Sequence, residues 1–314
     1  MYSTKVFLRI FGFLLLVFIL FKIDFYTFSR IFSRMGLGYY VLALVLLIPV
    51  ILGKAWRWQI LMRFQGIVYG LKECFAAYAA GIYWGLITPG KMGDLVRVFY
   101  LKDAGHSMGK ASFSVLVDRL YDLLALFLFG LISMLIFVDY LKSYPILPIS
   151  LSFSVALIII GFFYFLKGRG MKDMVANRFF KLVPSTYKNP VESNIKDFFE
   201  DVHTLNLSKI SLLAAITLIK WVVIFVLHYL LALSLKIDLS FSYISACVSL
   251  SALISLIPIS IAGIGTRDGA LVVLFPYLGS TKEAAIAFSL LILSTSVISG
   301  LLGFVFWTKR PLRF

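Results

Sequence analysis

Thr88-Pro89-Gly90-Lys91-Met92-Gly93-Asp94 closes an apolar stretch that begins near residue 73. A second apolar stretch, near 241–257, runs into Pro258-Ile259-Ser260-Ile261-Ala262-Gly263-Ile264-Gly265-Thr266-Arg267-Asp268. Proline removes a backbone donor and blocks the helix, and glycine permits the turn. Helix-compatible residues resume after each break. Each segment therefore reads as two half-length helices around a bend, a re-entrant hairpin rather than a full crossing. Pro89 and Gly93 are the expected hinge of the first hairpin (73–107), and Pro258, Gly263 and Gly265 that of the second (241–278).

The rest of the chain supplies the membrane around these breaks. Hydrophobic residues make up 61% of 314 positions and charged residues only 14%, with a mean hydropathy of +0.96. A soluble domain cannot hide that much apolar surface. The apolar residues fall in runs long enough to cross about 30 Å of hydrocarbon as helix, near 6–22, 39–58, 111–138, 146–166, 209–235 and 284–308. The roughly ten-residue alternating segments of a membrane β-barrel do not appear. Lys5 and Arg9 precede the first run as in a signal sequence, but no small-residue cleavage site follows, so it reads as an uncleaved span.

Lys167, Arg169, Lys172, Arg178, Lys181 and Lys188 lie in the long connection 167–209, and Lys309, Arg310 and Arg313 at the C-terminus. The excess of basic residues places both termini and segment 167–209 in the cytoplasm, with Lys22, Arg30 and Arg34 as a departure on the outer side. In that orientation the first hairpin enters from the cytoplasm and the second from outside. The order span, span, hairpin, span then occurs twice, inverted: 1–138 and 139–314. Pro89 corresponds to Pro258, Gly93 to Gly263 or Gly265, and Asp94/Arg97 to Arg267/Asp268. Paired broken segments in inverted halves point to a transport site; the plain alternative is two loops that merely contain Pro and Gly. The expected fold is an all-α polytopic membrane protein, a single integral domain with about six transmembrane helices plus two opposed re-entrant hairpins in an inverted repeat.

Charges within these segments are the candidate site. A charged side chain at the centre of a span costs at least about 2.5–3.5 kcal/mol, so it persists with a partner or a role. Asp118, Arg119 and Asp122 begin the third span, spaced for ion pairing on one face; they line a cavity or form a helix-end cluster. Lys91, Asp94 and Arg97 surround a helix start, where backbone N–H groups and cations make an anion-binding concavity. Asp94 can equally be a cap. Arg267 and Asp268 sit at the equivalent break. Lys54, Arg57 and Arg63, interleaved with Trp56 and Trp58, read as an interfacial anchor. Segment 167–209 reads as a solvated amphipathic connector, and His228 as hydrogen-bonded to a neighbouring helix. Cys74 and Cys247 look like buried small hydrophobes, and the three histidines lack ligand spacing, so no metal or other cofactor is expected. The net charge of +15 fits cytoplasmic loops and anionic lipid, and nucleic acid is not an expected partner.

Pro89-Gly90-Lys91-Met92-Gly93-Asp94-Leu95-Val96-Arg97 resembles the Pro-x-(Arg/Lys)-x-Gly-(Glu/Asp)-x-x-Arg signature of the lysylphosphatidylglycerol synthase transmembrane, or flippase-like domain, family. Asp118-Arg119-Leu120-Tyr121-Asp122 resembles its Glu/Asp-Arg-Leu-x-Asp element, and Gly263-Ile264-Gly265-Thr266-Arg267-Asp268 its Gly-x-Gly-x-x-Glu segment, with Asp94 and Asp268 where glutamate is common. The resemblance implies translocation of an anionic or phosphate-bearing lipid: a phospholipid, aminoacylated phospholipid, glycolipid or polyprenyl-phosphate lipid. The chain runs to Phe314 just past its last span, so the soluble synthase domain of two-domain relatives is not expected, and a separate lipid-modifying enzyme is the expected partner. In this reading Lys91, Arg97, Arg119 and Arg267 bind phosphate, while Asp94, Asp118, Asp122 and Asp268 hold them in place or exchange protons. The chain acts as a flippase or scramblase in the cytoplasmic membrane and not as an enzyme. The alternatives are an intramembrane headgroup transferase using Asp94 and Asp118, and a lipid-binding subunit that transports nothing.

Overall fold

The computed structural model describes residues 24–88, 93–138, 161, 197–198, 206–256 and 263–310. The spans expected near 6–22 and 146–166, most of segment 167–209, and Pro89, Lys91 and Pro258 lie outside the described residues. Ten helices occur among the described residues. They are α1 (Phe25–Ser33), α2 (Leu37–Val45), α3 (Leu47–Phe64), α4 (Leu71–Ile87), α5 (Val96–Asp103), α6 (Met108–Ile136), α7 (Leu207–Ser234), α8 (Phe241–Ile254), α9 (Thr266–Tyr277) and α10 (Lys282–Lys309).

Polar residues at the connections set where the long helices begin. Ser107 accepts from the Lys110 N–H, Asn206 from Lys209, Ser240 from Tyr243 and Thr281 from Ala284, each satisfying an otherwise orphaned donor. Asp24 does the same for α1, and its bonds to the Thr27 hydroxyl and the Tyr26 N–H hold its carboxyl below the usual carboxylate range. Among the described residues, four helical units are long and apolar enough to cross a membrane: Leu37–Phe64, Met108–Ile136, Leu207–Ser234 and Lys282–Lys309. The first is α2 and α3 run together around Leu46, close to Pro49, which has no N–H to give the preceding turn.

Polarity is distributed inside out. Leu128, Ile132, Leu135, Ile219, Val222, Leu301 and Val305 face outward, whereas Arg57, Arg97, Asp118 and Lys220 are buried among the helices. In water such an apolar exterior would be a liability; in lipid it is the expected surface, and the charges are the part that must be enclosed. Cys74 and Cys247 are both buried and unbridged.

The two broken segments fold back on themselves. α4 packs against α5, and α8 against α9. A Cβ built on Gly93 would lie 1.9 Å from the Gly85 nitrogen, so the chain leaving the first bend runs directly over the backbone of α4. In the second hairpin Gly263 and Gly265 take φ of 78° and 86°, values that L side chains resist, and Gly263 lies over Ser255. At about 1.5 Å per residue, α5 and α9 reach only about 12 and 18 Å, short of a hydrocarbon core of about 30 Å.

Each hairpin opens at one end of the bundle, and the two ends are opposite. Glu73, at the start of α4, pairs with Arg310 at 3.6 Å, and the Tyr100 hydroxyl near the end of α5 donates to the Arg310 carbonyl at 2.9 Å. Both ends of the first hairpin thus lie beside the C-terminal end of α10. Phe241 at the start of α8 meets Tyr229 near the end of α7, and Tyr277 at the end of α9 meets Phe137 just past α6. Those contacts place the second hairpin's ends beside the C-terminal ends of α6 and α7, and α9 ends at Tyr277, just before α10 begins at Lys282.

The neighbours of each helix follow a rule. α3 packs on α4 and α7 on α8; α5 packs on α6 and α9 on α10; α4 crosses to α10 and α8 to α6; α3 and α7 pack on each other. Exchanging α3–α6 for α7–α10 leaves these pairs unchanged, while the packing of α7 on α6 and on α2 falls outside the pattern.

Candidate functional site

Asp118 lies about 15 Å inside the start of α6, counted at 1.5 Å per residue, and is fully buried. It gathers groups from three other helices. Arg57 on α3 donates through Nε to Oδ1 at 2.9 Å and places Nη2 2.7 Å from the same oxygen. Arg97, in the first turn of α5, donates through Nη1 to Oδ2 at 2.8 Å, and the Tyr78 hydroxyl on α4 donates to Oδ2 at 2.9 Å. One carboxylate thus holds two arginines and ties α3, α4 and α5 to α6. Low surrounding polarity strengthens each of these contacts and penalises any charge left alone.

One turn along α6, Asp122 continues the network. Arg57 Nη1 donates to its Oδ1 at 2.7 Å and to the Thr217 hydroxyl on α7 at 2.8 Å. Lys220, also on α7, pairs with the same oxygen. The guanidinium of Arg97 lies 4.1 Å from the Tyr78 ring centre and 5.0 Å from that of Trp58, whose indole N–H donates to Ser114 at 3.1 Å. Lys54 stands 5.9 Å over the Tyr78 ring and within electrostatic reach of Asp122. Asp94 pairs with Arg119 at the partly exposed edge of the group. Among the described residues, Lys54, Arg57, Arg97, Arg119 and Lys220 stand against Asp94, Asp118 and Asp122. Among the described residues cations thus outnumber carboxylates, with Arg57, Arg97, Asp118 and Lys220 buried and Arg119 partly exposed, a local positive balance that attracts an anion.

The structure rearranges several expected roles. Asp118 and Asp122 face inward together, but Arg119, turned by about 100° from Asp118 on the helix, reaches Asp94 instead of joining them. Asp94 is not consumed as a cap, since α5 begins without a side-chain cap. Asp268 is the residue that caps, accepting the Gly265 N–H at 2.7 Å. Arg57, expected at the membrane interface, is 1% exposed and central to the cluster. His228 bonds the Ile224 carbonyl of its own helix at 2.7 Å, not a neighbouring helix. Lys220, Tyr78 and Thr217 were not singled out in the sequence. For Lys220 a signal existed: a lone lysine about 20 Å from the start of a 28-residue apolar helix.

The second break is built differently. Arg267 donates through Nε to the Ser289 hydroxyl on α10 at 2.8 Å and through Nη2 to Asp268 at 3.3 Å, and Ser289 itself bonds Asp268. One cation and one carboxylate meet there, and none of their described partners belongs to the α3–α7 network. Ser289 lies about 10 Å inside the start of α10, at the end of the bundle opposite the start of α6. The described residues therefore form two separate polar centres, and Gly93 and Gly263 bend the chain beside each. Lys91 lies outside the described residues.

The family described as the lysylphosphatidylglycerol synthase TM region matches residues 6–303. The chain belongs to that family. Two relatives share its membrane character by name. A UPF0104 membrane protein of Methanothermobacter thermautotrophicus is 25% identical over 264 residues, covering 79% of this chain and 78% of its own. Another, from Methanocaldococcus jannaschii, is 24% identical over 283 residues, covering 85% and 83%. No solved structure matches this member of the lysylphosphatidylglycerol synthase TM region family. It is a multi-pass integral membrane protein of all-helical build.

Proposed function

We propose that this protein translocates a phosphate-bearing anionic lipid, as a flippase or scramblase of the cytoplasmic membrane with both termini in the cytoplasm, and that it carries out no headgroup chemistry. The observation that supports this reading best is that, among the described residues of the network on α3, α5, α6 and α7, cations outnumber carboxylates. A structural ion network gains nothing from surplus charge in a low-dielectric interior, whereas a site that must receive an anionic headgroup needs it. The surplus lies on the first hairpin and the helices around it. Opposed hairpins and helix pairings common to both halves suit a rocking of one half against the other. The lipid tails would stay in hydrocarbon while the headgroup passes. The Arg267–Asp268–Ser289 centre, where one cation meets one carboxylate, serves in this scheme as a fixed brace for the second hairpin.

The test is reconstitution of the purified chain into liposomes with fluorescent phosphatidylglycerol in one leaflet and phosphatidylcholine as the zwitterionic comparison. Phosphatidylglycerol is expected to cross faster than in empty liposomes. Arg119→Gln is expected to slow it on the order of tenfold, the worth of one charge-assisted contact. The melting temperature should change little, because Arg119 is 30% exposed. Crossing no faster than in empty liposomes, for these lipids and for a polyprenyl phosphate, would sink the proposal.

A further inference from the structure

Arg97 is held on nearly every side. Nη1 donates to Asp118 at 2.8 Å, Nε to the Asp94 carbonyl at 3.3 Å, and the guanidinium is flanked by the Tyr78 and Trp58 rings. Nη2 is different: it is buried and has no hydrogen-bond partner. The nearest carboxylate oxygen is Asp94 Oδ1 at 3.8 Å, attractive in sign but beyond hydrogen-bond reach. The other oxygen of that carboxylate, Oδ2, is closed on Arg119. A buried charged donor left unmade is an expensive feature, and a fixed guanidinium with one open N–H edge is suited to a phosphate oxygen.

Asp94 lies between the two arginines and satisfies only one. Its Oδ1 rests over Gly81 of α4, in space that a side chain there would contest, since a Cβ on Gly81 would stand 3.4 Å away. The Asp94 and Arg119 side chains are 15% and 30% exposed, whereas Arg97 and Asp118 are sealed. This edge is the open side of the cluster. We propose that Arg97 and Arg119 form a phosphate subsite that Asp94 occupies in the resting protein as a tethered stand-in anion, displaced when a phosphate group arrives.

The idea rests on the lipid reading above and gives it a mechanism of release. A planar carboxylate tied to the backbone reaches Arg119 and falls short of Arg97 Nη2. A tetrahedral phosphate, free of that tether, can present one oxygen to each guanidinium. Each arriving ligand must first displace Asp94, so apparent affinity is reduced by the fraction of time the subsite is open. A transporter gains from that, because Asp94 returns to expel the phosphate. Asp118, with both oxygens engaged by arginine and tyrosine, has no such freedom and stays as the fixed counter-charge.

Removal of the stand-in should therefore tighten binding, the reverse of what loss of an ordinary site residue does. The full chain in detergent is titrated with dihexanoyl phosphatidylglycerol and, separately, with inorganic phosphate, and binding is read by thermophoresis. Asp94→Asn is expected to bind phosphatidylglycerol about tenfold or more tightly than wild type. Asp94→Glu keeps the charge and should stay near wild type, and adding Arg119→Gln to Asp94→Asn should erase the gain. An equal gain for inorganic phosphate supports the subsite and assigns it to free phosphate instead of a lipid headgroup. Binding of both probes no tighter in folded Asp94→Asn, or in Asp94→Ser should the first variant not fold, overturns the inference. Translocation in liposomes separates the two proposals. A chain that moves phosphatidylglycerol while Asp94→Asn binds it no tighter loses this inference alone; tighter binding without movement loses translocation alone.

Discussion

Asp118→Ala is expected to remove the folded protein from detergent extracts, or to lower its stability by about 3–5 kcal/mol where it survives. The carboxylate accepts from Arg57, Arg97 and Tyr78, and all three side chains are at most 2% exposed. Its loss leaves two guanidiniums close together without their shared counter-charge in a site water does not reach. Arg57 retains Asp122 and Thr217, but Arg97 retains the Tyr78 and Trp58 rings, the backbone carbonyl of Asp94 at 3.3 Å and the more distant Asp94 carboxylate, with no carboxylate within hydrogen-bond reach. For a stability of about 5–15 kcal/mol this is a large share. Asp118→Asn keeps the shape and loses the charge, so it should fall between. Leu116→Ala is the control: the side chain sits on the same helix, is exposed toward lipid, and should change little. Size-exclusion profiles and thermal midpoints of the extracted variants decide the matter. A midpoint for Asp118→Ala within about 2 °C of wild type would show that the cluster does not hold the bundle together.

The elements of the bundle were legible because two independent signals agree at their ends. Runs near 111–138, 209–235 and 284–308 became Met108–Ile136, Leu207–Ser234 and Lys282–Lys309, each starting one residue after Ser107, Asn206 or Thr281. Apolar length sets the span and the capping residue sets the first turn. Gly93, Gly263 and Gly265, read in the sequence as points where the chain bends, occupy backbone positions that exclude or resist a side chain. Direction around a helix was not. A span that is apolar on all sides has little periodic contrast, so nothing in its pattern says which face looks inward. Trp56 is 49% exposed, whereas Arg57 and Trp58 are buried; successive residues differ by about 100°, and the Lys-Ala-Trp-Arg-Trp composition of a membrane interface concealed that difference. The same ambiguity hid the turn of Arg119 toward Asp94. Arg267 and Asp268 were legible as a pair but their tie to α10 was not, because Ser289, which engages both, comes from a helix with no motif of its own.

Gly303→Ala is expected to destabilise the protein by about 1–3 kcal/mol, and Gly303→Leu to prevent folding. α4 runs along α10, and a Cβ on Gly303 would stand 2.1 Å from the Ala79 carbonyl oxygen, 2.9 Å from its carbon and 3.0 Å from Tyr83 Cβ. Backbone that close cannot yield by a rotamer change; the helices must part. Membrane helices hold together by van der Waals contact at small residues, without a hydrophobic force between them, so separation forfeits the contact along the whole seam. Tyr83, Trp84, Phe304 and Trp307 interlock along that seam, with Tyr83 and Trp307 stacked at 5.8 Å, and would loosen together. The effect also reaches the ionic cluster, since Tyr78 on α4 both bonds Asp118 and backs the Arg97 guanidinium. Gly53→Ala provides the comparison within the same chain. Gly53 lies inside α3 with open space where its Cβ would be, so alanine there should raise stability by up to about 1 kcal/mol through helix propensity. Thermal midpoints in one detergent should place the two glycine variants on opposite sides of wild type. Equal midpoints would mean that the α4–α10 seam tolerates separation, and that Arg97 is held by its ion pairs alone.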